Sequence, residues 1–415
     1  MFGSTPIRHL SLSEEFYAKA ENFIGFTVTL RGPVDVGAMS EAFDTLMRVH
    51  PAHAGHLELG ADGRHQIMVD DYEHPGMWLE KLDAPPLERL PSQSEALVNL
   101  RLRVGAERSE LTLFTHHALA DANHQFALLQ KLFGWYTDIV TGAGIGPVKP
   151  EPIPEPLETV LSERGITKLQ RFGLERFLPA IFAYELPPSR RNAGRVGAQS
   201  VRVPSANCRL SRQETQALID ICANRRVSLN ALVAAAILMA EWTIRETPHL
   251  PIPYIYPVDL RFFLNPPVSS TQATNPVGMA MYLAEIRSDT DLLDLAGDIV
   301  EAFRSDLAEG VIQQSFLHFG EQYQGNPPGL PDVVMTTDAG EMPPLRTPPG
   351  LTVEQYDVEV LFASTSAGID MYSVGTYDGR LVITYHSHGP ERDRYVGAIH
   401  ELLAAIPSRY AWVTE

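Results

Sequence analysis

A mixed α/β protein built in two lobes is the fold class this sequence predicts, and three observations carry it. Segments with strand-like alternation and segments with apolar residues at helical spacing occur in both halves of the chain. Between the halves lies a Gly/Pro-rich stretch, TGAGIGPVKPEPIPEP at 141–156, followed by a second loose segment, LPPSRRNAGRVGAQS at 186–200. The 415 residues are 44% hydrophobic and 20% charged, enough apolar material for a large core and too little charge for wholesale disorder.

The elements follow in order. Ser11 and Glu14 in SLSEEFYAKAENF fit a capping box that opens a first helix. GFTVTLRG alternates like a strand, and DVGAMSEAFDTLMRVHP sets Met39, Phe43, Leu46 and Met47 at helical spacing before Pro51 stops it. RHQIMVDD, ALVNLRLRVG and ELTLFTH are strand candidates. HQFALLQKLFGWYTDIV is a helix whose apolar face carries Phe126, Leu129, Leu132, Phe133 and Tyr136. A helical stretch between the two loose segments reads as a crossover. Past it, VPSANCRLS is a strand, RQETQALIDICANRR a helix, SLNALVAAAILMAEWTIRE a long buried helix and IPYIYPVDLR a strand. DLLDLAGDIVEAFRSDLAE is a helix, and GNPPGLPDVVMTTDAGEMPPLRTPPG is expected to be mostly loop around one short strand. IDMYSVGTYDGRLVITYH reads as a hairpin turning at Asp378-Gly379, and RYVGAIHELLAAI as the final helix.

Composition narrows function. Lys plus Arg is 33 against 51 Asp plus Glu, a net charge of −18 that repels a phosphate backbone and argues against nucleic acid. Two cysteines, Cys208 and Cys222, make neither a disulfide framework nor a CxxC site, so a reducing cytoplasm is expected. MFGSTPIRHLSLSEEF lacks the apolar stretch of a signal peptide, and the longest apolar run, ALVAAAILMA at 231–240, falls short of the roughly 20 residues a membrane span needs.

Chemistry concentrates in LTLFTHHALADANHQ, residues 111–125, where a β-rich run gives way to a helix that Asp121 or Asn123 would cap. His116 and His117 stand at that junction, where side chains enter clefts. Three readings compete. The histidines are structural; or His117, Asp121 and His124, at i, i+4 and i+7, hold a metal; or one histidine is a general base, since imidazole titrates near neutrality. No GxSxG elbow or P-loop offers another route, and GAGIG at 142–146 precedes a proline and reads as linker.

HHALADA resembles the HHxxxDG motif of the condensation-domain superfamily of CoA- and carrier-protein-dependent acyltransferases. LSLSEE resembles that superfamily's opening helix, YPVDLR, ending at Arg261, its VDxR segment, and TNPVG, carrying Asn275, its downstream Asn/Gly strand. Within the superfamily, SLNALVAAAIL, PIPYIYPVDLRF, GVIQQSFLHFG and RTPPGL look like the polyketide-associated acyltransferases, and the pieces run in order over nearly the whole chain.

The resemblance implies a pseudo-dimer of two chloramphenicol-acetyltransferase-like lobes, each a mixed sheet with flanking helices and the active site in a tunnel between them. The first lobe would be 1–140, the linker and crossover 141–205, and the second lobe 206–415. It further implies an O-acyltransferase using a thioester of CoA, an acyl carrier protein or a polyketide synthase carrier domain. The acceptor would be a hydroxylated small molecule such as a polyketide-derived lipid or natural product, with no cofactor and no metal. His117 would be the general base, Asp121 and Arg261 a salt bridge that shapes its loop, and His116 support behind it. Docking of an acidic carrier would need a basic patch, for which Arg225 and Arg226, or Arg304, are candidates. One departure stands out: the motif's glycine is Ala122, which would be strained by about 1–2 kcal/mol if the position needs a positive φ. That departure alone favours a non-catalytic binding member of the fold, while the metal reading favours a metal-dependent hydrolase.

Overall fold

The computed structural model describes residues 5–69, 76–85, 89–178, 183–184, 193–318, 332–366 and 369–410. Strand β1 (Thr5–His9) leads to helix α1 (Leu12–Lys19), which opens with the expected capping box: the Ser11 hydroxyl accepts from the Glu14 N–H, and the Ser11 N–H donates back to Glu14 at 2.9 Å. Next come β2 (Phe23–Arg31), α2 (Val36–Val49) and the short α3 (Pro51–Ala54). Strands β3 (His56–Leu59), β4 (His65–Val69), β5 (Met77–Lys81), β6 (Val98–Val104) and β7 (Arg108–His116) precede the long α4 (Ala122–Val140). After α5 (Leu157–Ser162), β8 (Ala193–Arg202) and β9 (Ser205–Arg209) come α6 (Arg212–Arg225), α7 (Leu229–Ile244), β10 (Ile252–Asp259) and β11 (Val277–Ala284). The chain finishes with α8 (Leu292–Ala308), α9 (Val311–Ser315), β12 (Val333–Glu341), β13 (Thr352–Ser366), β14 (Ile369–Tyr377), β15 (Arg380–His386) and α10 (Arg392–Tyr410).

Among the described residues the strands form two six-stranded sheets, β5-β6-β7-β2-β13-β8 and β11-β10-β12-β14-β15-β9, with a small β1-β4-β3 sheet beside them. Helices α2 and α4 cover the first large sheet, burying Met39, Phe43 and Leu46 with Phe126, Leu129 and Phe133 against Phe26, Val28 and Leu113. On the second sheet α7 is a core helix, as its alanine-rich sequence predicts, with Ala235, Ala236, Ile237 and Leu238 wholly buried. The β14–β15 hairpin turns at Asp378 and Gly379, both at positive φ (53° and 70°), the conformation an Asp-Gly turn favours. Among the described residues no single helix is long and apolar enough to cross a membrane.

Three parts of the sequence reading need correction. The strand β13, inside the range 206–415 read as the second lobe, belongs to the first large sheet, antiparallel to both β2 and β8. Its outward Glu359 ties the sheet together, accepting from Arg101 on β6 at 2.6 Å and pairing with Arg202 on β8 at 2.8 Å. Inward, Tyr356 and Val358 join the core under α2 and α4. A register shift between Val353 and Gln355 interrupts the alternation that would mark this strand. The segment 186–200, read as loose, is strand β8 from Ala193 onward, because β13 offers it a pairing edge; residues 185–192 lie outside the described residues. The expected short strand near 333 is likewise a nine-residue strand, parallel to β10 and β14.

A third apolar cluster joins the two halves. It combines Tyr17, Ala118 and Leu119 with Val258, Met279, Ile312 and Phe316. Close approach there depends on Gly278: a Cβ at that position would lie 2.3 Å from the Ile312 carbonyl oxygen, so any side chain would push β11 off α9.

Candidate active site

Strand β7 delivers its last residue, His116, into this junction, and a short turn carries His117 to the N-terminus of α4. The turn is pinned by backbone bonds: His116 N–H donates to the Leu97 carbonyl at 2.8 Å, His117 N–H to the Asn22 carbonyl at 2.8 Å, and Leu119 N–H to the His116 carbonyl at 2.9 Å. The two histidines therefore point in fixed and different directions.

His116 is fully buried. Its Nδ1 accepts from the Ala118 N–H at 3.3 Å, its Nε2–H donates to Gln93 at 3.0 Å, and Phe23 packs against the ring edge-on. Burial, with the neighbouring His117, lowers its pKa to about 3, so it stays neutral and structural.

His117 is half-buried. Its Nδ1–H donates to the Ala120 carbonyl at 3.0 Å, which fixes the tautomer and leaves the Nε2 lone pair unprotonated; no described residue hydrogen-bonds to Nε2. Burial holds this imidazole below its ordinary pKa, with the Ala120 carbonyl and the Asp121 charge pulling the other way. The ring is thus neutral near pH 7, the form a proton acceptor needs.

Asp121 caps α4, and both of its oxygens are taken by other partners. Its Oδ1 accepts from the His124 N–H at 2.9 Å, and its Oδ2 from Arg261 Nη1. Arg261, also buried, donates to Asp259 Oδ1 at 3.2 Å and to the Ser270 carbonyl at 3.2 Å. Burial opposes the guanidinium's charge, but Asp121 and then Asp259 outweigh it and raise its pKa. Asn123 extends the clamp, donating to Asp259 at 3.2 Å and accepting from Ser270 at 2.8 Å. The loop that holds His117 is thereby fastened to the segment 259–270.

The metal reading of His117, Asp121 and His124 meets a directional obstacle. His117 turns Nδ1 to Ala120, both Asp121 oxygens are engaged, and His124 is buried with its Nδ1–H on the Ala273 carbonyl at 3.1 Å. Among the described residues, no group of three or more His, Cys, Asp or Glu is arranged to hold a metal ion. Cys208 and Cys222 are both free and buried, and burial raises their thiols to about 12 and about 11, out of nucleophilic range.

Ala122 is the first residue of α4 and is absent from the positive-φ positions, so alanine is unstrained there. Ala122→Gly is expected to lower stability by about 0.5–1 kcal/mol, through the backbone freedom glycine adds to the unfolded chain. It should leave the turnover rate within about twofold, because the methyl group has no polar function and packs with the core under α2 and α4. Urea denaturation and steady-state rates check both.

The structure separates the basic candidates. Arg225 lies over the Tyr410 ring at 5.7 Å and acts on Asp291, the N-cap of α8, while Arg226 is exposed at the end of α6. Arg304 is exposed thirteen residues along α8 from Asp291, about 20 Å away at helical rise. They are two surfaces. Two residues the sequence did not mark as site residues also meet His117: Tyr17, whose ring centroid lies 4.5 Å from the imidazole's, and Asn275, whose Nδ2 lies 3.4 Å from both His117 Nδ1 and its carbonyl oxygen. Nothing local in an amphipathic helix or a pre-strand turn signals that placement.

Comparison with known proteins gives the arrangement its context. The phthiocerol/phthiodiolone dimycocerosyl transferase C-terminus family model matches residues 199–386, a span that includes Arg261 and Asn275 but not His117. The dimycocerosyl transferase of Mycobacterium leprae (strain TN) is 46% identical over 428 residues, covering 100% of both chains. The chain belongs to the phthiocerol/phthiodiolone dimycocerosyl transferase family. The solved structure of polyketide synthase associated protein 5 from Mycobacterium tuberculosis agrees with a TM-score of 0.88 at 46% identity, over 98% of this chain and 100% of that one. A condensation domain of the calcium-dependent antibiotic synthetase shares the fold alone, with a TM-score of 0.65 at 15% identity over 97% of each chain. As a dimycocerosyl transferase family member with a condensation-domain fold, the protein is an acyltransferase that transfers groups other than aminoacyl groups.

Proposed function

We propose that the protein moves an acyl group from a thioester, on CoA or on an acyl carrier protein or polyketide synthase carrier domain, to a hydroxyl of a polyketide-derived lipid or natural product. His117 serves as general base. The observation that carries this reading is the division of labour on one ring: Nδ1–H is committed to Ala120, and Nε2 has no hydrogen-bond partner among the described residues, on a neutral, half-buried imidazole next to the cluster that joins the two halves. The relatives' names support a lipid acceptor, since they describe transfer of mycocerosyl groups to phthiocerol and phthiodiolone.

In this mechanism Nε2 takes the acceptor's hydroxyl proton as the oxygen attacks the thioester carbonyl. The tetrahedral intermediate collapses, the C–S bond breaks, and the thiolate leaves with the proton from Nε2. An ordinary thiol pKa of about 8.5 makes it a competent leaving group with little acid assistance. The positive ring between these steps is offset by Asp121, whose charge already favours imidazolium. Atoms and charge balance without a cofactor or metal. Two free buried thiols fit a cytoplasmic setting. The non-catalytic reading rested on strain at Ala122, which this backbone does not have.

The test is a panel of acyl thioesters and alcohols, with free thiol measured by colour and product by mass spectrometry. Ester and thiol formed in equal amounts support the reading; hydrolysis without ester, or no reaction with any pair, overturns it. Within the same assay, Arg225→Glu with Arg226→Glu, or Arg304→Glu, should lower kcat/KM for a carrier-bound donor by about 3- to 10-fold and spare the CoA donor. Unchanged rates with the carrier-bound donor in both variants remove these arginines as its docking site.

A further inference from the structure

We propose that Tyr17 and Asn275 are positioning residues for His117, a two-sided brace that aims Nε2 at the acceptor hydroxyl and exists only while the two halves are in register. The inference rests on the general-base reading above and adds residues that reading does not use.

The imidazole needs such a brace. Among the described residues its ring donates one hydrogen bond, from Nδ1 to Ala120, and a ring held at one atom rocks about its broad terminal torsion. Tyr17 supplies a wall, with ring centroids 4.5 Å apart at a 42° tilt. Behind Tyr17 stands Phe316, stacked at 6.1 Å and 11°, itself met edge-on by Phe16 at 6.0 Å. Tyr17 is 8% exposed and Phe316 5%, so the wall has little room to yield.

Asn275 supplies the stop on the other side. Its Nδ2 donates to the His117 carbonyl at 3.4 Å and lies 3.4 Å from Nδ1. Because Nδ1–H is given to Ala120, the ring cannot also accept from Asn275, and the amide instead limits rotation of the ring toward it. The same amide hydrogen-bonds the Tyr17 hydroxyl, joining wall and stop into one unit. Burial raises the phenol's pKa, so Tyr17 keeps its proton at any working pH. Position matters as much as chemistry. Tyr17 comes from α1, whereas Asn275 precedes β11 and Phe316 follows α9, both on the second sheet's side. The base is aligned by parts that only the docked halves bring together.

The experiment compares Tyr17→Phe, Asn275→Ala, their double variant and His117→Ala, using one thioester and one alcohol, with kcat, KM, pH profile and Tm for each. Asn275→Ala should lose about 10- to 100-fold in kcat, as for a reacting group displaced by about an ångström, and Tyr17→Phe, which loses only the hydroxyl tie to the amide, a smaller loss of about 3- to 10-fold, with KM within about threefold in both. The double variant should be no worse than the poorer single one, since hydroxyl and amide act through each other. Tm should stay within about 2 °C for Tyr17→Phe, which keeps the ring wall. The acid limb of kcat/KM should move in Asn275→Ala, because the environment of the imidazole changes. Wild-type kcat in both single variants while His117→Ala is inactive overturns this inference and leaves the base in place. Losses that multiply in the double variant, or that follow a lowered Tm, overturn it in favour of general packing. A fully active His117→Ala removes the base and the brace together.

Discussion

Replacing His117 with alanine is expected to lower kcat/KM for ester formation by about 10²- to 10⁴-fold, the usual worth of a positioned proton acceptor. No other described group can take over. His116 is buried, neutral and bonded at both nitrogens, and His124 donates to a backbone carbonyl on the far side of the Asp121 cap. KM should change little, since Nε2 acts on the reacting proton. The pH profile gives an independent check. Burial holds the His117 pKa below its ordinary value, so the neutral ring persists as pH falls past 6.5. The acid limb of kcat/KM should therefore lie below the pH of an exposed histidine, falling tenfold per unit beneath the lowered pKa. A limb at or above the ordinary histidine value contradicts the assignment, as does wild-type turnover in the alanine variant.

Arg261→Ala is expected to carry the largest cost in stability, about 3–5 kcal/mol, because it strands buried charge instead of merely deleting a contact. Asp121 and Asp259 would then face each other without the cation between them. The pair already strains in that direction: burial raises the Asp259 pKa, Arg261 opposes the rise, and Asp121 adds to it. Arg261→Lys should fall between the wild type and alanine, since an ammonium keeps the charge but cannot serve Asp121, Asp259 and the Ser270 carbonyl with one planar fork. Chemical denaturation ranks the three. Activity should fall with stability in Arg261→Ala, because α4's first turn and the His117 loop lose their tie to the segment 259–270. An alanine variant within about 1 kcal/mol of wild type would show the clamp to be ornamental.

Much of this site is legible from sequence because its signals are local. Ser11 and Glu14 mark a helix start, Asp378-Gly379 a turn, and Asp121 an N-cap, and each is settled within a few residues. The motif around His117 and the segment ending at Arg261 are singled out through resemblance, and the Asp121–Arg261 pair ties them together. What stayed hidden is set by packing between distant segments. Strand β13 loses its alternation at the bulge beside Gln355, and nothing in its residues states which sheet will accept it. Tyr17 looks like any half-apolar helix residue, and Asn275, marked by resemblance only as part of a strand motif, meets His117 when β11 is laid against the turn after β7. Ala122 shows the converse case. A departure from a motif looked strained in one dimension and carries no backbone strain once its dihedral is known.

The placement of β13 has a consequence for how the chain is made. During synthesis β2 emerges early, yet one of its two edges has no partner until Thr352–Ser366 leaves the ribosome. The first sheet cannot close while the second is being translated, so the nascent amino-terminal portion must wait with an open β edge, a state prone to association with other chains. The polypeptide is therefore a single unit of folding, and a cut between its halves would leave the amino-terminal fragment without β13 and the carboxy-terminal fragment with β13 parted from β2.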